Sequence, residues 1–511
     1  MRNEGLFDED GDSKVAVLVG KIIVNMTDTG ADVLHKKLLD AGCSSQLVVA
    51  PERWHGYVLY ALEENIQDVT TINQFLDRHT GKARKLRWMR LDNAAKIYPA
   101  AISNSWSSVF RLSATLKEPV DPQILESALD ITVRRFPSIC ARLRKGLFWY
   151  YLEQLERAPE IREEHSYPLT RMTNREMRNC AFRVIVHDRR IAVEFFHSLT
   201  DGTGGLIFLK SLTAEYLQQK HGISIPAEHG VLDRQDPPSD EELEDSFPKY
   251  AGAISASRKE NTAWHYDGTP ELGGFLNVTR LQLDTDAVKA AAKGYGVSVT
   301  TFLSAVMMMA LQNLQKEMVP DIRRRKPIRL FIPVNLRNVF PSRSLRNFAM
   351  YTIPEILPRL GEYTFEEICQ VVRSRMAMDI TPKQMSMKIA ANVSSEQILI
   401  VRMMPLFVKN IVMRIVFDTV GERKSCLNLS NLGAIRLPEV MVPYVEQFDF
   451  ILGVQAQAPY NCGVAAFGDK LNVNFIRNTQ EPDLEYHFHR VLQELGLTAQ
   501  VQSNQRKKEG N

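Results

Sequence analysis

At 511 residues and 44% hydrophobic content, the chain exceeds the usual single-domain size and can bury large cores, so two or three domains are expected. Lys and Arg number 63 against 60 Asp and Glu; the resulting formal charge of +3 excludes a broad polyanion-binding surface and argues against a nucleic-acid partner. Six scattered cysteines (Cys43, Cys140, Cys180, Cys369, Cys426 and Cys462) form no C-x-x-C pair, and the acidic N-terminus has no secretory pattern, which together fit a cytoplasmic protein with reduced thiols.

Residues 1–13 read as a disordered acidic tail, and 14–87 as a small α+β unit. In that unit, Val15 to Val24, Gln46 to Ala50 and Tyr57 to Leu62 read as strands, and Ala31 to Leu39 and Val69 to Leu76 as helices. The basic stretch Arg78 to Arg87 reads as its linker to the main body. There, Ser108 to Leu116 predicts a strand, Pro122 to Arg135 a helix and Phe148 to Leu152 another strand. Phe182 to Val186 and Ile191 to Phe196 predict a hairpin turning at Asp188.

That hairpin delivers His197-Ser198-Leu199-Thr200-Asp201-Gly202 to the end of a buried strand, just before the helical periodicity of Leu206 to Leu217. An imidazole there, with a pKa near 6.5, suits a general base acting on a hydroxyl or amine. The same spacing equally describes a loop whose Asp201 caps the next helix, with His197 merely satisfied at a strand end. Gly202 to Gly205 could cradle a phosphate, but neither the Gly-Lys-Ser/Thr sequel nor G-x-G-x-x-G spacing is present.

Residues 222–270, with Pro237-Pro238 and the acidic run Asp240 to Asp245, read as a loop-rich connection between a first half, 88–270, and a second, 271–500. The second half predicts a strand at Val278 to Leu283, helices at Asp286 to Tyr295 and Thr301 to Lys316, and a strand at Ile328 to Val334. Arg323 to Lys326 reads as a solvated turn. Ile398 to Phe417 is apolar but carries Arg402, Lys409, Arg414 and Pro405, so it reads as a buried helix, with a membrane-surface or acyl-groove helix as the alternative, rather than a span. A last hairpin turning at Gly468-Asp469 precedes a helix from Asp483 to Leu495, and 501–511 reads as a polar tail. His487 and His489, two apart on that helix, point away from each other, so no metal is implied; a G-x-S-x-G elbow is also missing.

The H-x-x-x-D-G string at His197 to Gly202 resembles the signature of the chloramphenicol acetyltransferase-like superfamily, which includes condensation domains and alcohol acetyltransferases. Further segments agree in order: Leu125 to Leu129 with Arg135 to Ile139, Phe148 to Glu153, Ile332 to Arg337 with Leu345 to Phe348, and Ser430-Asn431-Leu432-Gly433. The resemblance covers about residues 88 to 498. It implies a mixed α/β fold of two αβα-sandwich halves meeting at a central tunnel, and an acyltransferase that uses acyl-CoA as co-substrate with no bound cofactor. His197 is then the general base, Arg337 the partner that pairs with Asp201 to hold the loop, and Gly202 the position where no side chain fits. Asn347, Ser430 and Asn431 are assigned to substrate or CoA binding.

Phe196 stands where condensation domains carry a second histidine, and the D-F-G-W-G string of plant relatives is missing, which favours the alcohol acetyltransferase-like branch. The expected partners are acyl-CoA and a small or lipid-like alcohol or amine, with peripheral membrane contact and a monomeric state. Alternatives are an enzyme fed by a separate acyl carrier protein, or a non-catalytic binding protein that retains the fold.

Overall fold

The computed structural model describes strands at 15–19, 22–26 and 45–49, and residues 88–506 apart from 103–107, 255–261, 398–403, 417–421 and 455–457. The chain forms two compact units, Met1–Leu86 and Arg87–Asn511. In the first, β1 (Val15–Val19) pairs antiparallel with both β2 (Ile22–Met26) and β3 (Ser45–Val49). The run Val15 to Val24, expected as one strand, is therefore two, folded back so that Val19 faces Ile22. The acidic tail, the two helices, the strand Tyr57 to Leu62 and the Arg78 to Arg87 linker fall outside the described residues.

Among the described residues, the second unit holds three sheets. One has the order β16-β5-β10-β9-β8, from Val445–Ile451, Val109–Leu116, Arg190–Phe196, Phe182–His187 and Arg162–Glu163. Its central strands are buried along nearly their whole length, which explains their continuous runs of apolar residues. The largest has the order β13-β12-β15-β17-β18-β11-β19, from Ala349–Thr352, Ile328–Asn335, Leu427–Ala434, Tyr460–Phe467, Lys470–Arg477, Asn277–Asp284 and Ala499–Ser503, with β14 (Glu355–Ile356) also on β12. A three-stranded sheet, β4-β7-β6, joins Trp88–Arg90, Tyr150–Gln154 and Ala141–Lys145.

The two large sheets do not divide at residue 270. Strand β16 leaves the second half of the sequence and pairs with β5, so the first half's sheet is completed by a strand from the second. Around the first sheet pack the helices Pro122–Arg135 and Gly202–His221; around the second lie Thr285–Gly294, the buried Val299–Met318 and Asp483–Glu494. Among the described residues no single helix is long and apolar enough to cross a membrane.

Three expectations need correction. The strand expected at Phe148 to Leu152 starts at Tyr150, because Gly146 N–H donates to Trp149 O and closes a turn first. The acidic run at Asp240 is not only part of a loop-rich connection: buried Glu242 accepts two bonds from Arg135, at 2.6 and 2.8 Å, because an arginine buried at a helix end requires an anion. The polar tail begins later than 501, since Ala499–Ser503 is an edge strand on β11 whose alternate residues satisfy the sheet's free edge. The described cysteines are free thiols, and no cluster of metal-binding side chains occurs among the described residues.

Candidate active site

Strand β10 ends at Phe196, and the next residue keeps its backbone on the sheet edge, where His197 N–H donates to Ser108 O at 2.8 Å. The following loop is fastened from two sides. Ser198 Oγ donates to Ala95 O at 3.0 Å, and Thr200 Oγ1 donates to Leu345 O at 2.6 Å. Asp201 then caps the helix Gly202–His221, its Oδ1 accepting from Thr203 N and Gly204 N at 3.1 and 3.0 Å.

Its other oxygen, Oδ2, accepts from Arg337 at 2.8 Å and from Phe348 N at 2.9 Å. Arg337 also donates to Ser344 O, Asn335 Oδ1 and Arg346 O. One carboxylate thus joins a helix N-terminus to the segment after β12, and the capped-loop reading of Asp201 holds alongside the ion pair.

Gly202 is the helix's first residue and has no left-handed φ; a Cβ there would lie 3.0 Å from the movable end of Leu432. The strict requirement is instead at Gly204, where a Cβ would lie 2.2 Å from both Leu345 O and Thr200 Oγ1. Gly204→Ala is expected to cost about 1–3 kcal/mol or more, clearly more than Gly202→Ala, as read by thermal unfolding of the two variants side by side.

The imidazole of His197 stacks on Tyr98, with centroids 4.4 Å apart and planes 15° apart, and meets the Phe110 ring edge-on at 5.0 Å. Its Nδ1 lies 3.0 Å from Asn347 Oδ1. The amide nitrogen of Asn347 donates to His197 O at 2.9 Å and to Asp92 Oδ2 at 3.3 Å, so the Asn347 oxygen is the atom turned to the ring. An amide oxygen only accepts; Nδ1 therefore carries the hydrogen, and Nε2 is the basic nitrogen. Burial holds His197 below its usual pKa, opposed by its own carbonyl, Asp201 and Asn347, so the ring is neutral near pH 7.

Asp92, fully buried behind Asn347, accepts from Ala95 N at 2.7 Å; burial lifts its pKa to about 6, against the pull of Arg346. Asn347 is therefore not placed to touch a substrate. It is 3% exposed and stands behind His197, because both ends of its amide are engaged there. Asp92, Tyr98 and Phe110 were not singled out by the sequence: they lie in ordinary-looking segments that only the fold brings to the histidine.

In front of the ring opens a cavity of about 600 Å³. Phe110 and Phe450 line it from the first sheet, and Phe331, Asn335, Asn428, Ser430 and Asn431 from the second. Ser430 and Asn431 are thus in the cavity wall, where Asn431 also donates to Thr300 Oγ1 and accepts from Gly433 N. Trp149, Lys96 and Met413 contribute farther lining.

The sequence matches no protein-family model and no curated protein. Solved structures do share its architecture. F. graminearum TRI101 complexed with coenzyme A and deoxynivalenol is similar at a TM-score of 0.55 and 11% identity, over 81% of this chain and 99% of that one. TRI3 trichothecene 15-O-acetyltransferase from Fusarium sporotrichioides follows at 0.53 and 11%, over 81% and 96%. The first condensation domain of the calcium-dependent antibiotic synthetase, in complex with a substrate analogue, gives 0.52 and 14%, over 80% and 95%.

The fold is chloramphenicol acetyltransferase-like. In this chloramphenicol acetyltransferase-like unit, the cavity lies between the two large sheets and His197 lies on its wall.

Proposed function

We propose that the protein transfers an acyl group from a thioester, with acyl-CoA as donor, to the hydroxyl or amine of a small or lipid-like acceptor. The supporting observation is the pairing of His197 Nδ1 with Asn347 Oδ1, which leaves a neutral Nε2 as the base of a ring on a cavity wall. The fold shared with TRI101, solved with coenzyme A and deoxynivalenol, supports the choice of donor and of a hydroxyl-bearing acceptor.

In the proposed step, Nε2 takes the acceptor's proton as its oxygen or nitrogen bonds to the thioester carbonyl carbon. The tetrahedral oxyanion then collapses, the C–S bond breaks, and the imidazolium returns its proton to the leaving thiolate. General-base assistance of this kind contributes about 10²–10⁴ in rate. Asp201 and Arg337 keep the loop, and so the ring, in position. Ser430 and Asn428 are the polar cavity groups suited to donate to the oxyanion.

The test is mass-spectrometric detection of acylated product after incubation of the full chain with a series of acyl-CoA donors and of alcohols and amines. The pH dependence follows from the lowered pKa of His197. A base must be unprotonated, so kcat/KM is expected to fall at acid pH with its break below the 6.5 of an ordinary imidazole. A break above pH 6.5 would assign the base to another group.

A further inference from the structure

Two polar residues of the helix Leu406–Val416 are turned inward: Lys409 Nζ donates to Phe148 O at 3.0 Å and lies 3.4 Å from the Trp149 ring centre, and Asn410 donates to Tyr150 Oη at 3.0 Å. The outer face of the helix carries Phe407, 64% exposed, Ile411, 58% exposed, and Val412. Phe407 and Ile411 are four apart and so share one side of the helix.

The turn at residues 146–149 extends this apolar surface. Leu406 N–H donates to Leu147 O at 3.0 Å, which fixes the turn against the helix, and Leu147 stands 74% exposed beside Phe148. Large apolar side chains grouped on one exposed surface mark a face built for contact with something other than water.

Charge narrows the choice of contact. Of the cations in these two segments, Lys409 is turned inward and Arg144 pairs with Glu153 at 2.7 Å, which leaves Lys145 and Arg414 on the surface, and neither 144–150 nor 404–416 contains an acidic residue. Arg414 is exposed three residues beyond Ile411, and Lys145 is exposed beside the turn. Apolar residues bordered by cations are the composition of a surface that seats in the headgroup region of an anionic bilayer. The same two segments also reach the reaction cavity, because Trp149 and Met413 line it.

We propose that the helix Leu406–Val416 and the 146–149 turn dock onto an anionic lipid bilayer and pass a membrane-borne acceptor directly into the cavity. Docking stands on the surface alone; the acceptor's route rests on the acyl-transfer reading above.

The experiment is sedimentation of the full chain with vesicles of phosphatidylcholine, with and without phosphatidylserine. Wild type is expected to sediment with the anionic vesicles. Partitioning should weaken about tenfold or more in Phe407→Ser/Ile411→Ser, and about fivefold in Arg414→Glu. Both variants should retain wild-type thiol release with a water-soluble acceptor, which confirms their fold. Failure of the wild type to sediment with either vesicle, as when another part of the chain or a protein covers this face, would overturn the proposal, as would unchanged sedimentation of both variants. Sedimentation without any thiol release would leave docking standing and overturn the acyl-transfer reading instead.

Discussion

His197→Ala is expected to lower kcat for acyl transfer by about 10²–10⁴, with KM for the donor little changed. The loss follows from removing the basic Nε2, which is used only as the acceptor's proton moves. Because His197 stacks on Tyr98 and accepts the order imposed by Asn347, the substitution also removes buried contacts. That cost is expected at about 1–2 kcal/mol, small enough for a cooperative thermal transition and an unaltered circular dichroism spectrum. A variant that is both folded and fully active would contradict the assignment of the base.

The second large effect is expected at Asp201, through stability rather than chemistry. Its side chain and that of Arg337 are only 8% and 11% exposed, and they meet at 2.8 Å. Asp201→Ala leaves the guanidinium without its anion and also strips the acceptor from Thr203, Gly204 and Phe348 N–H groups. Breaking one side of such a buried pair typically costs about 3–5 kcal/mol. The double variant Asp201→Ala/Arg337→Ala should cost less than the sum of the two single variants, because the second change removes the stranded charge. Chemical denaturation of the four proteins measures the coupling; strict additivity would show that the pair does not hold the loop.

The local elements were legible where one physical signal dominated. The Phe182–His187 and Arg190–Phe196 hairpin follows from two β-branched and aromatic runs around Asp188, and the helix Asp483–Glu494 ends before Gly496, whose φ is +75°. The place of His197 at a strand end followed from the same reasoning. The crossing of one strand into the first sheet was not legible: nothing local in Val445–Ile451 states that it will pair with a strand more than 300 residues earlier. For the same reason Asp92, Tyr98 and Asn347 could not be joined to His197 from spacing; they meet only through tertiary packing. The motif's glycines were only partly read, since the close approach at Gly204 depends on Leu345, a residue from the other half of the unit.

The most direct measurement is thiol release from acyl-CoA donors by the wild type and His197→Ala, each with and without an alcohol or amine acceptor. Release by the wild type that requires the acceptor and falls by about 10²–10⁴ in the variant is the expected result. No release with any donor, or equal release by the two proteins, would contradict acyl transfer through His197.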